Sequence, residues 1–163
     1  MSQTTVKLRI GDQAPDFSLP SQTGESVSLK DFLGKKNVVL YFYPRDFSPG
    51  CTTEACTFRD SYESFKDEGA EVIGISSDAR ESHAGFASVY RLPFILLSDK
   101  DGAVRKLYGV SKTFGMLPGR TTYIIDRNGI VRHIFTSQFM PKAHIDEALR
   151  ALKYIDREYK KAV

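Results

Sequence analysis

The apolar residues first gather in Val38-Val39-Leu40-Tyr41-Phe42-Tyr43, a run with no polar break. Such a run marks a strand buried on both faces. It predicts a central strand from Asn37 to Tyr43, ended by Pro44. From Thr52 to Glu68 the spacing changes. Phe58, Tyr62 and Phe65 recur at three- and four-residue intervals, which predicts a helix closed by Gly69. Val72 to Ser76 is a second buried strand, Arg80 to Tyr90 a second helix carrying Phe86, Val89 and Tyr90, and Phe94 to Ser98 a third strand. Asp101-Gly102 reads as a turn and Ala103 to Tyr108 as a short helix. Thr121 to Asp126 and Ile130 to Thr136 flank Asn128-Gly129, a hairpin signal. Ile145, Ala148, Leu149, Leu152 and Ile155 line one face of a final helix.

Strands alternating with helices predict an α/β fold. The sheet is expected to carry helices on both faces, and the terminal hairpin makes it mixed. A thioredoxin-like layout fits this order, although fold alone does not give function. The longest polar stretch, Ser21 to Ser28, contains a Thr23-Gly24 turn signal and is too short to be a linker. No repeat divides the chain, so residues 1–163 are expected to form one domain.

Composition narrows the function classes. Hydrophobic residues make up 41% and charged residues 26%, ordinary for a globular protein. Twenty-three basic and 20 acidic residues leave a net charge of +3 without a basic block, which argues against nucleic-acid binding. Arg157-Glu158-Tyr159-Lys160-Lys161 reads as a solvated helix end. No apolar run reaches the roughly 18 residues that suggest a membrane span. The polar start, Met1 to Arg9, has no hydrophobic signal core. A cytoplasmic location is expected, or an organelle if a transit peptide has been removed.

The chemistry concentrates between Tyr43 and Cys56, where the central strand gives way to a helix. Sites in open α/β sheets lie at such strand ends. Cys51 follows Pro49-Gly50 at the helix start. Free N–H groups and the helix dipole there favour thiolate, the nucleophilic form, and can hold an oxygen anion. A buried, inert cysteine is the competing reading. Cys56 bears on that choice. Five residues along a helix rise about 7.5 Å and turn about 140° past a full revolution, so the two Cα atoms would lie roughly 8–9 Å apart. A disulfide needs less than about 7 Å. Bridging the pair therefore requires the first turns to unwind, which suggests a wound, reduced state and an unwound, oxidised one. A loop this short also gives a permanent bridge little stabilising value. Two thiolates without a nearby His pair make a poor metal site.

Ser48-Pro49-Gly50-Cys51-Thr52-Thr53-Glu54-Ala55-Cys56 resembles the active-site motif of the peroxiredoxins, in particular the Q type, also called bacterioferritin-comigratory-protein-like. The resemblance extends to Ala14-Pro15-Asp16-Phe17, Phe42-Tyr43-Pro44, Ile73-Gly74-Ile75-Ser76, Phe94 to Asp99, Gly119 to Asp126, and Gln138-Phe139 with His144-Ile145-Asp146. It implies a thioredoxin-like fold and a hydroperoxide reductase. Cys51 takes the peroxidatic position and Cys56 the resolving one, with Cys51 sulfenic acid and an internal disulfide as intermediates. Thioredoxin, or glutaredoxin, is the implied reductant. No metal, haem or flavin is implied, and a monomer is favoured.

Arg120 matches the family's active-site arginine and would be a permanent positive charge beside the thiolate. Ser48 stands where the family usually has threonine and keeps the hydroxyl. Pro44, Gly50 and Glu54 are expected to line the substrate pocket, with Glu54 also able to anchor Arg120. His83 invites the role of general base, but a lone helical histidine is expected to be structural or exposed. Tyr41 and Tyr43 are expected in the core or pocket wall. Two rivals stand beside the peroxidase. One is a redox-sensing binding protein using the same disulfide. The other is a disulfide oxidoreductase, which the four-residue gap between the cysteines disfavours.

Overall fold

The computed structural model describes residues 7–110 and 119–162. A five-stranded sheet forms its centre, built from β3 (Asn37–Phe42), β4 (Ala70–Ser76), β5 (Ile95–Ser98), β6 (Thr121–Ile125) and β7 (Val131–Thr136) in the order β5-β4-β3-β6-β7. β3, β4 and β5 run parallel, whereas β6 is antiparallel to both β3 and β7. The sheet is mixed, as the terminal hairpin requires. Among the described residues, five α-helices accompany it: α1 (Pro49–Asp60), α2 (Tyr62–Asp67), α3 (Arg80–Tyr90), α4 (Ala103–Leu107) and α5 (Ala143–Ala162).

The two-sided burial of β3 follows from its pleat. Val39 and Tyr41 point into one core, with Phe58 of α1, Phe65 of α2, Phe86 of α3 and Ile145, Ala148, Leu152 and Ile155 of α5. Val38, Leu40 and Phe42 point into the other, with Leu8, Phe17, Leu29, Val104 and Tyr108. Helices thus flank the sheet on both faces, as expected, with less helix on this second one. Among the described residues, α4, a 3-10 helix at Leu29–Phe32 and the chain from Leu8 to Phe32 cover it. That N-terminal stretch contains a small hairpin of β1 (Ser18–Pro20) and β2 (Ser26–Ser28), closed through Gly24 at φ +92°. Three-residue strands are too short to show a period.

The helix predicted from Thr52 to Glu68 is two helices. It begins three residues earlier because Pro49 occupies the first turn, where its missing N–H is no loss. It breaks at Ser61, whose N–H is shared between the carbonyls of Thr57 and Phe58. Phe58 stacks on Tyr41 at 4.6 Å between ring centroids and meets Phe65 at 5.5 Å, so both helices stay tied to one aromatic core. Among the described residues, no helix is long and apolar enough to cross a membrane.

β4 passes Tyr41 closely at Gly74. A Cβ there would stand 2.8 Å from Tyr41 Cζ and 2.9 Å from Leu96 Cδ2. Gly74→Ala is expected to destabilise the fold by about 1–3 kcal/mol through overpacking. Urea unfolding tests this, and an unchanged midpoint would mean that the two side chains move aside freely.

Candidate active site

β3 ends at Phe42, and residues 43–48 lead from it into α1. Arg105 of α4 fixes the exit: its guanidinium donates to the Tyr43 carbonyl at 2.7 Å and to the Gly119 carbonyl at 2.8 Å. One buried cation thus holds the backbone just ahead of Pro44 and just ahead of Arg120. A second anchor is Asp46. Its carboxylate accepts from Tyr43 Oη at 2.6 Å and Ser82 Oγ at 2.8 Å, and meets His83 Nδ1 at 2.7 Å. His83 Nε2 donates to the Leu97 carbonyl at 2.9 Å. His83 is fully buried and structural, one of the two expected outcomes. Asp46, Asp78 and His83 bring three ligand-type atoms within 4.8 Å of one another. Asp78 Oδ2 already accepts from Ser76 Oγ and from the Asp46 N–H, so the cluster is satisfied as a loop anchor. Between these anchors Phe47 adopts φ +65°, a strained conformation for an aromatic residue, with its ring packed on Phe86 at 5.1 Å.

Cys51 is the third residue of α1 and is buried at 1% exposure. The first helical bond runs from the Thr52 N–H to the Ser48 carbonyl. The N–H groups of Gly50 and Cys51 lie ahead of it and have no acceptor within the helix. Ser48 does not cap them with its side chain. Its hydroxyl donates to the Arg45 carbonyl at 3.0 Å, which leaves its lone pairs to accept. Pro44 and Gly50 are partly exposed beside it. A Cβ on Gly50 would come within 3.0 Å of Arg120 Nη2, so the bare backbone makes room for the guanidinium.

Arg120 directly precedes β6 and is 3% exposed. Each guanidinium nitrogen has a partner. Nη1 donates to Glu54 Oε1 at 2.7 Å, Nη2 points to Cys51 Sγ at 3.5 Å, and Nε donates to the Gln138 carbonyl at 3.3 Å. Desolvation opposes the charge, but Glu54 and Cys51 hold the guanidinium above its ordinary pKa. Burial pushes the Glu54 carboxyl up, against the pull of Arg120. These tendencies conflict over the charge of one pair. Arginine does not deprotonate in proteins, so the carboxyl is the partner whose proton can come and go. Its second oxygen, Oε2, is buried without a hydrogen-bond partner and lies 3.7 Å from His144 Nδ1.

The structure therefore brings Cys51, Glu54 and Arg120 into contact, with Gly50 against the guanidinium and Ser48 at the helix start. Cys56 lies elsewhere. It is on the same intact helix, partly exposed, and both thiols are free. Sequence reasoning missed Arg105, Gln138 as a backbone acceptor, and His144 as a group near the site. Arg105 and His144 sit within or beside helical patterns, where their residue types carry no signal of burial. A main-chain acceptor such as Gln138 leaves none at all.

Comparison with known proteins agrees with this geometry. Residues 10–134 match the AhpC/TSA family. The chain is 58% identical over 149 residues to the chloroplastic peroxiredoxin Q of Arabidopsis thaliana, covering 91% of this chain and 68% of that protein. It is 55% identical over 149 residues to the chloroplastic peroxiredoxin Q of Sedum lineare, covering 91% and 80%. Among solved structures, peroxidoxin BcpB of Mycobacterium tuberculosis superposes with a TM-score of 0.84 at 42% identity, covering 91% of this chain and 98% of that one. The chain belongs to the AhpC/TSA family and, within it, to the peroxiredoxins of the Q type.

Proposed function

We propose that this peroxiredoxin reduces hydroperoxides with Cys51 as the attacking thiolate and Cys56 as the resolving thiol. One observation carries the assignment: a sulfur at the open start of α1 faces the buried guanidinium of Arg120 at 3.5 Å. The positive charge and the helix N-terminus both favour an anion on sulfur. The free N–H groups of Gly50 and Cys51 and the Arg120 charge can stabilise the departing oxygen. Ser48 can accept a hydrogen bond from the peroxide O–H, and Pro44 and Gly50 form the adjoining wall. Glu54 acts by holding Arg120.

The cycle balances without a cofactor. Cys51 thiolate attacks the terminal oxygen of ROOH, the O–O bond breaks, and the alkoxide takes a proton to leave as ROH. Cys51 is then a sulfenic acid. Cys56 attacks it, the disulfide forms and water departs. An external dithiol, thioredoxin in this reading, reduces the bridge by exchange. Disulfide formation needs α1 to unwind at its start, and the sequence favours that. Gly50, Thr52 and Thr53 all have low helix propensity, with glycine about 1 kcal/mol worse than alanine. Since both thiols lie on one helix, a monomer suffices. The bacterioferritin comigratory protein of Xanthomonas campestris, 29% identical over 86% of this chain with a TM-score of 0.79, has alkyl peroxide reduction activity, which supports including organic hydroperoxides. The chloroplast names of the plant relatives support the organellar of the two expected locations. Residues on both sheet faces share β3, which supports reading the chain as one domain.

Cys51→Ser is expected to abolish peroxidase turnover, and Cys56→Ser to allow one oxidation without thioredoxin-driven recycling. Stopped-flow mixing with hydrogen peroxide or an organic hydroperoxide, followed by mass spectrometry of the products, tests both roles. Substantial turnover by the first variant, or sustained recycling by the second, would refute the corresponding role.

The pocket also predicts acid sensitivity. Burial pushes His144 down from 6.5 to about 4, against its bond to Ser137, and the Arg120 charge adds to the depression. The unfolded ring takes up its proton near 6.5, while the folded ring resists until about 4. Stability is thus lost as pH falls through that window, by up to about 3 kcal/mol from this ring. Urea melts at a series of pH values should show a steeper loss for wild type than for His144→Gln. Parallel losses would mean that other groups set the acid limit.

A further inference from the structure

His144 stands in the first turn of α5 and is fully buried. Its Nε2 lies 2.8 Å from the Ser137 carbonyl and its Nδ1 2.7 Å from Thr122 Oγ1. A carbonyl only accepts, so Nε2 carries the hydrogen. The neutral ring then has a bare Nδ1, to which the Thr122 hydroxyl donates. Phe135 packs edge-on against the ring at 4.8 Å, and Glu54 Oε2 faces Nδ1 at 3.7 Å. The ring is therefore fixed in tautomer and orientation, with its one donor spent on the segment between β7 and α5.

That segment folds back over Arg120. The Ser137 N–H donates to the Arg120 carbonyl at 3.2 Å, and the next carbonyl, of Gln138, accepts from Arg120 Nε at 3.3 Å. The Ser137 carbonyl between them is the one His144 holds. Two supports thus fix the guanidinium: Glu54 on Nη1 and Gln138 on Nε. They differ in kind. Glu54 belongs to α1, within the stretch that must unwind for Cys51 to reach Cys56. Gln138 lies outside it.

We propose that His144 is a positioning residue for Arg120: its Nε2–H clamps the Ser137 carbonyl and so keeps the Gln138 carbonyl on the guanidinium, with Nη2 directed at Cys51. This rests on Cys51 being the attacking thiol. The clamp holds Arg120 in place while α1 opens and recloses, so each reduced enzyme returns to a preset charge.

Three variants of the full chain separate this role from simple packing. His144→Asn keeps an acceptor for Thr122 but draws the donor back from Ser137. His144→Gln presents an amide N–H toward Ser137. Thr122→Val removes only the other bond of the ring. The readout is the rate of Cys51 oxidation by hydrogen peroxide across a pH series, followed by acid quench and mass spectrometry, because the chain has no Trp to report it. The Asn variant is expected to oxidise about tenfold more slowly, with its pH profile displaced upward, while the Gln and Val variants stay within about twofold of wild type even where their melting temperatures fall. An Asn variant that matches wild type, or a Gln or Val variant that slows as much as Asn, would overturn the proposal. Should the Asn variant fail to fold, nitrogen NMR of wild type decides: His144 must be the neutral Nε2–H tautomer at neutral pH, and an Nδ1–H ring or an imidazolium would overturn the clamp. Wild-type oxidation no faster than that of free cysteine would instead remove the peroxidase reading on which the clamp rests.

Discussion

A guanidinium buried almost completely organises this end of the molecule. A charge taken out of water is tolerated only when its hydrogen bonds are met and an opposite charge is near. Arg120 meets both conditions with three partners from two separate parts of the chain: a carboxylate and a sulfur from α1, and a main-chain carbonyl after β7. Removing a partner would leave charge stranded in the core. The approach of α1 to β6, the bare backbone at Gly50 and the return of the chain after β7 all answer to that requirement. The sulfur stands among those partners, with Nη2 of the guanidinium directed at it.

The frame around the pair is rigid where its position must be kept. Arg105 ties together the backbone at Tyr43 and Gly119, just beyond the ends of the neighbouring antiparallel strands β3 and β6, and Asp46 ties the following loop to α3. The strained backbone of Phe47 is held between these anchors. By contrast, the start of α1 has no side-chain cap and is made of poor helix formers. Well-anchored backbone and a weakly capped helix start thus sit a few residues apart, as the proposed cycle of Cys51 requires.

Much of this was legible in the sequence wherever burial acts directly on residue choice. The unbroken run in β3, the Asn128-Gly129 turn and the apolar face of α5 are patterns of that kind, and each lies where expected. The stretch from Ser48 to Cys56 marked the site through its place where a strand gives way to a helix and through its resemblance to the peroxiredoxin motif. The rest escaped through physical ambiguity. Pro49 carries no apolar periodicity, so it falls ahead of the predicted helix that it in fact starts. Ser61 carried no sign that α1 would stop there. β1 and β2 were too short to show alternation. Arg105 and His144 are polar residues whose burial depends on distant carbonyls, at Gly119, Tyr43 and Ser137, and no local pattern announces such partners.

The break at Ser61 sets a boundary on how far disorder can spread. Helix unwinding is cooperative, so in one continuous helix from Pro49 to Asp67 the loss of the first turns would weaken the grip of the last. With α2 a separate segment, and Phe58 pinned to Tyr41 on the near side of the break, the opening proposed for disulfide formation would be confined to the first two turns of α1. In the proposed cycle, local melting at each turnover would not draw on the cooperativity of the rest of the fold. Its global stability and the ease of its conformational cycle can therefore be tuned independently, by substitutions on opposite sides of a single serine.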